Sequence, residues 1–160
     1  MRFEFDMGKT PNQMSEPMTA AQLVEMVTSR PGYTSSVGTR VLFAEPGRVH
    51  LALDRRPDLL QFSGFFHGGV IAGLADHAAG GAVTTALPAG RIAVTVDLHI
   101  NFLSPADGQS IIAKAKAIQV GKTVSVANVE VMTQGNGEER LCAFCTVTLR
   151  TVDMPSNGAR

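Results

Sequence analysis

The chain has 160 residues, of which 44% are hydrophobic, and its 14 basic and 14 acidic residues cancel to a formal net charge of zero. This length suits one compact domain that can bury a sizeable core. Because the charges form no like-charged block, the composition argues against a nucleic-acid partner and favours a small molecule.

Two features bear on the compartment. The segment Met1–Asp6 lacks the apolar core of a signal peptide, and Cys142 and Cys145 alone do not make a disulfide framework. The longest apolar stretch, residues 68–87, is interrupted by Asp76, which argues against a membrane span. The sequence therefore predicts a cytoplasmic protein with no membrane partner.

The first predicted element is a short helix. Residues 1–18 show no hydrophobic period, so we expect a flexible arm there. Thr19 is a suitable N-cap, and Ala20–Val27 spaces its apolar residues on one helical face before Pro31-Gly32 ends it. Two β-rich segments follow, and Pro46-Gly47 between them predicts a hairpin.

A run rich in glycine and alanine predicts a long buried helix. It covers Gly69–Val83 and is opened by His67-Gly68. Asp76 stands in its middle. Removing an ionised carboxylate from water costs several kcal/mol, so we expect this residue to have a chemical role. His77 lies about 100° away around the helix, so it does not form an acid–histidine pair with its neighbour.

Four strand candidates complete the domain, at residues 93–102, 111–120, 124–132 and 141–149. In the first, the apolar residues all fall on even numbers, which is the period of a half-buried strand. In the third, the apolar phase changes, and we expect a bulge near Ala127-Asn128. Residues 153–160 are expected to form a flexible tail.

These elements predict an α+β fold in which one long central helix is wrapped by a five- or six-stranded antiparallel sheet. We expect a single domain over residues 19–152. One helix cannot cover both faces of such a sheet. Its outer face or its edge is therefore expected to meet another subunit of a homo-oligomer.

Two segments carry a family resemblance. Gln61-Phe62-Ser63-Gly64-Phe65-Phe66-His67-Gly68-Gly69 precedes Asp76, which stands nine residues after the histidine, and Asn101-Phe102-Leu103-Ser104-Pro105 follows later. From about residue 38 to residue 151 the chain resembles the hotdog-fold acyl-CoA thioesterases of the phenylacetate-degradation type. The resemblance implies hydrolysis of an aryl- or fatty acyl-CoA to the free acid and CoA. It also implies a cleft between two subunits of a dimer, assembled further into a homotetramer.

The resemblance implies roles for particular residues. Asp76 would be the general base or the nucleophile, and the Gly68 amide would donate to the oxyanion. Gln61 would supply a side-chain amide, and His67 would orient the helix start or donate to the substrate. Substrate contacts are expected from Gly69, Thr95, Asn101, Ser104 and Lys122. No cofactor is expected, because CoA is part of the substrate.

Three features invite other interpretations. Gly80 stands where some members place a hydroxyl residue, whereas Thr95 could supply that hydroxyl from the strand. Asp97, His99 and Asn101 share a strand face but alternate with apolar residues, so no metal is expected. The two cysteines are expected to fill the core.

An apolar slot for the acyl group is expected among Phe62, Phe65, Phe66 and Met132.

Two other functions on the same fold agree with fewer residues. A non-catalytic acyl-CoA sensor would lack the helical acid and carry a DNA-reading helix pair, but this chain has Asp76 and one short helix. A hydratase would place a histidine five residues after an aspartate at the helix start, whereas Gly81 is found five residues after Asp76. The acyl-CoA thioesterase is the prediction that agrees with the most residues.

Overall fold

Residues 17–154 are described by a computed structural model of the chain. Its helices are α1 (Ala20–Thr28), α2 (Tyr33–Ser36) and α3 (Gly68–Ala86), with a 3-10 turn at Pro57–Leu59. Its strands are β1 (Arg40–Glu45), β2 (Arg48–Asp54), β3 (Arg91–Phe102), β4 (Ser110–Gln119), β5 (Val124–Gly135) and β6 (Glu138–Asp153). The predicted arm up to residue 16 and the predicted tail from residue 155 lie outside the described residues.

The six strands form one antiparallel sheet in the order β1-β2-β4-β5-β6-β3. Helix α3 packs across one face of this sheet, and α1 contacts β1 and α3. This arrangement confirms the predicted α+β architecture with one long helix. Strands β1 and β3 form the two edges. In the part of the chain that the structure describes, no helix is long and apolar enough to cross a membrane; the cytoplasmic location stays a prediction.

Local sequence explains where the helices begin and end. Thr19 and Gln22 form a reciprocal capping box at the start of α1. His67 caps α3 through its side chain, and Pro88 follows the last turn, where its ring disfavours a helical conformation of the residue before it. The β1–β2 hairpin turns at Pro46-Gly47, as predicted.

Helix α3 is buried on one face only, which corrects the expectation of a helix buried all round. Its buried residues face the sheet: Ile71, Leu74, Ala75, Ala78, Ala79, Ala82 and Val83. Asp76 lies on the other side and is only partly buried in the single chain. The carboxylate is therefore not sealed in the core, and its burial depends on what covers this side of the helix.

The strand irregularities differ from those predicted. In β5 every second residue from Ser125 to Thr133 is buried, so the expected bulge at Ala127-Asn128 is wrong. The extra residue lies in the neighbouring strand instead, at Ile118 of β4, opposite Ala127 and Val126. Sequence phase cannot identify which of two paired strands holds an insertion, because the bulge is a property of the pair.

Strand β6 confirms that the two cysteines fill the core. Cys142 and Cys145 are fully buried and free. Burial raises the pKa of each thiol to about 11. Cys142 is the unpaired extra residue between the pairs that Ala143 and Leu141 make with β5, and its Sγ donates to the Val131 carbonyl oxygen. At neutral pH both groups remain protonated, which is typical of structural cysteines rather than nucleophiles.

Candidate active site

The carboxylate of Asp76 is paired with a hydroxyl of the edge strand. Thr95 Oγ1 donates a hydrogen bond of 2.6 Å to Asp76 Oδ1. No other hydrogen bond to the Asp76 carboxylate is made within residues 17–154. The bond fixes one carboxylate oxygen and leaves Oδ2 available as an acceptor. We refer to these two residues as the Asp76–Thr95 pair.

A bulge in β3 creates this pair. Val96 is an extra residue between Thr95 and Asp97, which pair with consecutive residues of β6. Before the bulge, Ala93 and Thr95 face α3; after it, Leu98 and Ile100 do so. The even-numbered alternation predicted for the whole strand is therefore wrong. An unbroken β3 would turn the Thr95 hydroxyl to the opposite face of the sheet from Leu98.

The start of α3 leaves one backbone donor free. His67 Nδ1 accepts from the Gly69 N–H at 2.9 Å, while the first helical residue, Gly68, has no acceptor for its N–H among the described residues. A free N–H at a helix N-terminus carries partial positive charge and favours an anion. His67 therefore has the capping position that a structural role requires.

Gly68 opens into a recess of about 390 Å³, which we call the Gly68 recess. Gln61, Phe102 and Ser104 also line it. A Cβ atom at Gly68 would stand 3.2 Å from the ring of Phe102, so the absent side chain keeps the amide accessible. Ser104 donates to the Leu141 carbonyl oxygen, which fixes it in the wall. The structure thus brings together three of the predicted site residues.

The two halves of the site do not meet within one chain. Gly68 and Asp76 are separated by eight residues of continuous helix, which is about 12 Å at 1.5 Å of rise per residue. The carbonyl oxygen of a substrate therefore cannot accept a hydrogen bond from Gly68 while Asp76 of the same chain activates a water molecule beside the carbonyl carbon. Each chain therefore carries two half-sites, the Gly68 recess and the Asp76–Thr95 pair.

Two predicted substrate contacts lie away from both half-sites. Asn101 is exposed and alternates with Ile100 and Phe102, so it projects from the side of β3 opposite to α3. Lys122 is exposed in the turn between β4 and β5. Asp97 and His99 share the outward orientation of Asn101. The substrate contacts expected from Asn101 and Lys122 therefore stay predictions.

His77 contacts α1 rather than the carboxylate beside it. Its Nε2 lies 2.9 Å from Thr28 Oγ1, and the threonine is buried. Burial lowers the pKa of His77, against the opposing effect of the negative charge on Asp76. The predicted absence of an acid–histidine pair is consistent with this contact, and the histidine serves to attach α1 to α3.

Sequence reasoning missed two features near the Asp76–Thr95 pair. The Tyr33 ring lies over Gly73, one turn before Asp76, with its hydroxyl oxygen 2.6 Å from where a Cβ of the glycine would be. A cavity also opens between α1 and α3, beside Gly80. The glycines of α3 were the available signal, because helical glycines without a turn mark close approach or open space.

Comparison with known proteins identifies the family. Residues 63–140 match the Thioesterase superfamily model. A Halobacterium salinarum protein named as an esterase is 38% identical over 71% of this chain and 78% of its own length. A 1,4-dihydroxy-2-naphthoyl-CoA hydrolase of Listeria monocytogenes is 26% identical over 74% of this chain and 96% of its own length.

A solved structure agrees with these sequence matches. The crystal structure of a thioesterase family protein from Silicibacter pomeroyi superposes with a TM-score of 0.81 at 31% identity, covering 84% of this chain and 99% of that one. The family resemblance and the predicted fold are thereby confirmed. The chain belongs to the thioesterase superfamily and has its hotdog fold.

Proposed function

We propose that the protein hydrolyses the thioester of an acyl-CoA to the free acid and CoA. The observation that carries the proposal is the pair of half-sites on α3: a free amide at the helix N-terminus and a hydroxyl-bonded carboxylate two turns later. Thioester hydrolysis needs both a donor to the carbonyl oxygen and a base for water. Membership of the superfamily supports the same reaction class.

A dimer would complete two sites at once. A two-fold axis between antiparallel copies of α3 would bring Gly68 of one subunit toward Asp76 of the other, and symmetry would repeat the arrangement. Among the described strands β3 pairs only with β6, so its other edge is open, and Val96 there is 66% exposed. An open apolar edge is a strand-pairing surface, so β3 is the edge proposed to meet the second subunit.

A homotetramer would follow if two such dimers pair through the outer faces of their sheets. Ile118, Val120 and Val124 are exposed around the turn between β4 and β5. These exposed apolar side chains are the proposed contact between the two dimers. The dimer carries the proposed chemistry, and the second contact adds no group to it.

In the proposed reaction, Asp76 takes a proton from water as the water oxygen bonds to the thioester carbonyl carbon. The carbonyl oxygen gains negative charge and accepts a hydrogen bond from Gly68 of the second subunit. The carbonyl then re-forms as the C–S bond breaks. The proton on Asp76 passes to the CoA thiolate, which leaves the free acid and CoA as products.

Direct attack by Asp76 on the carbonyl carbon is the alternative route, and it would give a mixed anhydride that water then opens. After a single turnover in isotopically labelled water, label in the Asp76 carboxyl identifies direct attack followed by opening of the anhydride at the Asp76 carbonyl carbon, because general-base catalysis puts the label only into the product acid. In both routes Thr95 holds Oδ1 and directs Oδ2 to the reacting atom.

The proposal is tested by measuring thiol release from aryl- and fatty acyl-CoA substrates. Asp76→Asn keeps the shape of the side chain and removes the base, so we expect kcat to fall about a thousandfold. The buried cysteines, with pKa raised to about 11, keep the thiol background low.

The matched control is Asp97→Asn, which removes an exposed carboxylate from the outward side of β3. Its kcat should stay within about twofold of the wild-type value. Wild-type binding of acyl-CoA without any turnover would contradict the proposal and favour the non-catalytic sensor.

A further inference from the structure

A cavity of about 370 Å³ lies between α1, the second half of α3 and the start of β3. Small-molecule sites in proteins occupy roughly 300–1,000 Å³, so this volume suits a compact ligand or part of a larger one. The cavity is separate from the Gly68 recess, with which it shares no lining residue.

The cavity adjoins the Asp76–Thr95 pair from two elements. On α3 it begins at His77 and Gly80, which are the next residue and the residue one turn beyond Asp76. On β3 it begins at Ala93, which precedes Thr95 by two residues and faces the same side of the strand. A group attached to a carbonyl at the catalytic carboxylate would therefore meet the cavity directly.

Two glycines keep this part of α3 bare. A Cβ atom at Gly80 would have no atom within 4 Å, so the missing side chain leaves open space there. At Gly81 a Cβ atom would lie 3.5 Å from Val49 and 3.7 Å from Val24, in ordinary contact. The opening is thus at Gly80, while Gly81 lies against the packed floor.

The chemistry of the lining is aliphatic. Leu23, Met26, Val27, Ile92 and Met154 line the cavity, and no Phe, Tyr or Trp side chain is among the described lining residues. Methionine side chains adapt readily to a flexible apolar ligand. The ring among the described lining residues is the His77 imidazole, which is hydrogen-bonded to Thr28, so the lining lacks the phenyl, phenol and indole faces that favour an aryl group.

Of the polar residues in the lining, those on α3 already have partners, while Arg30, just after α1, adds one exposed positive charge. His77 is hydrogen-bonded to Thr28, and the Thr84 hydroxyl accepts from the Ala93 N–H. Thr85 accepts from the Gly47 N–H. Because a polar acyl group would have to compete for these bonds, the cavity favours an apolar ligand.

We propose that this cavity binds the acyl chain of an aliphatic acyl-CoA of medium length, with the chain entering beside Gly80. This inference rests on the proposed thioesterase function and specifies its substrate class. It differs from the apolar slot predicted among the phenylalanines, since Phe65 and Phe66 line the Gly68 recess and Phe62 is fully exposed.

The test is Gly80→Leu, which fills the cavity from α3 where a side chain meets no protein atom at Cβ. We expect kcat/KM for octanoyl-CoA to fall about tenfold or more while kcat/KM for acetyl-CoA changes less than about threefold. The matched control is Ala86→Leu, which puts the same side chain on the exposed end of the same helix. It should leave both substrates unchanged.

A second variant enlarges the opposite wall. Met26→Ala on α1 should raise kcat/KM for dodecanoyl-CoA relative to octanoyl-CoA. If Gly80→Leu does not fold, this change in chain-length preference tests whether the cavity binds the acyl chain. Equal losses with acetyl- and octanoyl-CoA, or a wild-type preference for benzoyl-CoA that Gly80→Leu abolishes, would overturn the inference. In either case the thioesterase proposal stands, whereas a wild-type protein that hydrolyses no acyl-CoA removes both.

Discussion

The two glycines after His67 have different hydrogen bonding at the start of α3. The Nδ1 atom accepts from Gly69, which leaves the Gly68 N–H as the donor without a partner among the described residues. The hydrogen bond assigns the proton of a neutral His67 ring to Nε2. We therefore propose that the histidine acts on the site by fixing the direction in which the Gly68 amide points.

Replacing Gly68 by proline should remove the donor and keep the helix. Proline suits the first helical position, and His67, with ψ of 139°, already has the extended conformation that a following proline requires. We expect kcat to fall about 100- to 1,000-fold, the usual cost of losing one oxyanion donor. Steady-state kinetics with the best acyl-CoA substrate provides the measurement.

Gly68→Ala is the control for this change. It adds the same Cβ atom, 3.2 Å from Phe102, but keeps the N–H. Its kcat should therefore lie much nearer to the wild-type value. If the alanine and proline variants lose activity equally, the crowding at Phe102 matters and the amide does not.

The family resemblance selects Gly68 and Gln61 in the sequence, and it agrees with the place of Asp76 in an apolar helix, which selects that residue by itself. The residue that donates a hydrogen bond to the Asp76 carboxylate was harder to predict. Thr95 was named as a possible substrate contact, yet the even-numbered pattern of β3 would have turned it away from the helix. Only the extra residue at Val96 reconciles the pattern with the hydrogen bond. One inserted residue reverses every later side chain of a strand.

Helix α1 is attached to α3 through a histidine whose charged form is disfavoured by burial. Thr28 and His77 are hydrogen-bonded at a buried contact, and burial lowers the pKa of His77 below 6.5 in the folded protein. The charge on Asp76 opposes this shift. The unfolded chain therefore takes up a proton at a higher pH than the folded protein does.

This difference predicts a stability that falls in mild acid. Above the unfolded pKa of 6.5 the ring is neutral in both states and contributes nothing to the pH dependence. As the pH falls through 6.5, protonation favours the unfolded state, so the free energy of unfolding decreases until the folded pKa is passed. Urea denaturation between pH 5 and pH 7.5 measures the slope.

His77→Gln is the control, because glutamine can keep a hydrogen bond to Thr28 without titrating. Its unfolding free energy should depend less on pH than that of the wild-type protein. His50, whose pKa burial also lowers, remains in both proteins and cancels in the comparison. Identical slopes in the two proteins would show that His77 does not control the acid sensitivity.

At the scale of elements, α1, α3 and the six strands were predicted close to their observed bounds, whereas the short helix α2 was not predicted. Capping residues, turn residues and hydrophobic period are local properties, so the sequence contains them directly. The positions of the bulges and the strand order could not be predicted from the sequence. Both depend on which strands pair, and pairing is decided by contacts between residues far apart in the chain.

The whole molecule is proposed to work only as an assembly. Its two half-sites are about 12 Å apart on one helix, and its open edge at β3 lies beside the Asp76–Thr95 pair. The sequence predicted a homo-oligomer from the shortage of helices to cover the sheet. The half-sites give a more specific reason. The Gly68 recess needs a carboxylate beside it and the Asp76–Thr95 pair needs a free amide, and within one chain the two are too far apart to supply each other.

Mixing two inactive variants should restore activity. In a dimer of Asp76→Asn with Gly68→Pro, one site has both defects and the other has neither. If subunits associate at random, half of the dimers are mixed and half of their sites are intact, so about a quarter of the wild-type activity should return. Co-refolding followed by the thiol-release assay measures it.

The matched control mixes Asp76→Asn with Asp76→Ala, which leaves every site without a carboxylate and should recover no activity. Failure of the first mixture to exceed this second mixture would place both half-sites of each reaction in one chain. It would then contradict the shared cleft.

The sheet order has a consequence for biosynthesis. Strand β3 leaves the ribosome before β4, β5 and β6, yet its only strand partner within the described chain is β6, the last of the four. Until β6 is synthesised, β3 therefore has no strand partner in its own chain, and the surface through which two molecules are proposed to join is not yet positioned. Nascent chains on neighbouring ribosomes are thereby exposed to premature association, the hazard of an apolar strand that waits for its partner during synthesis.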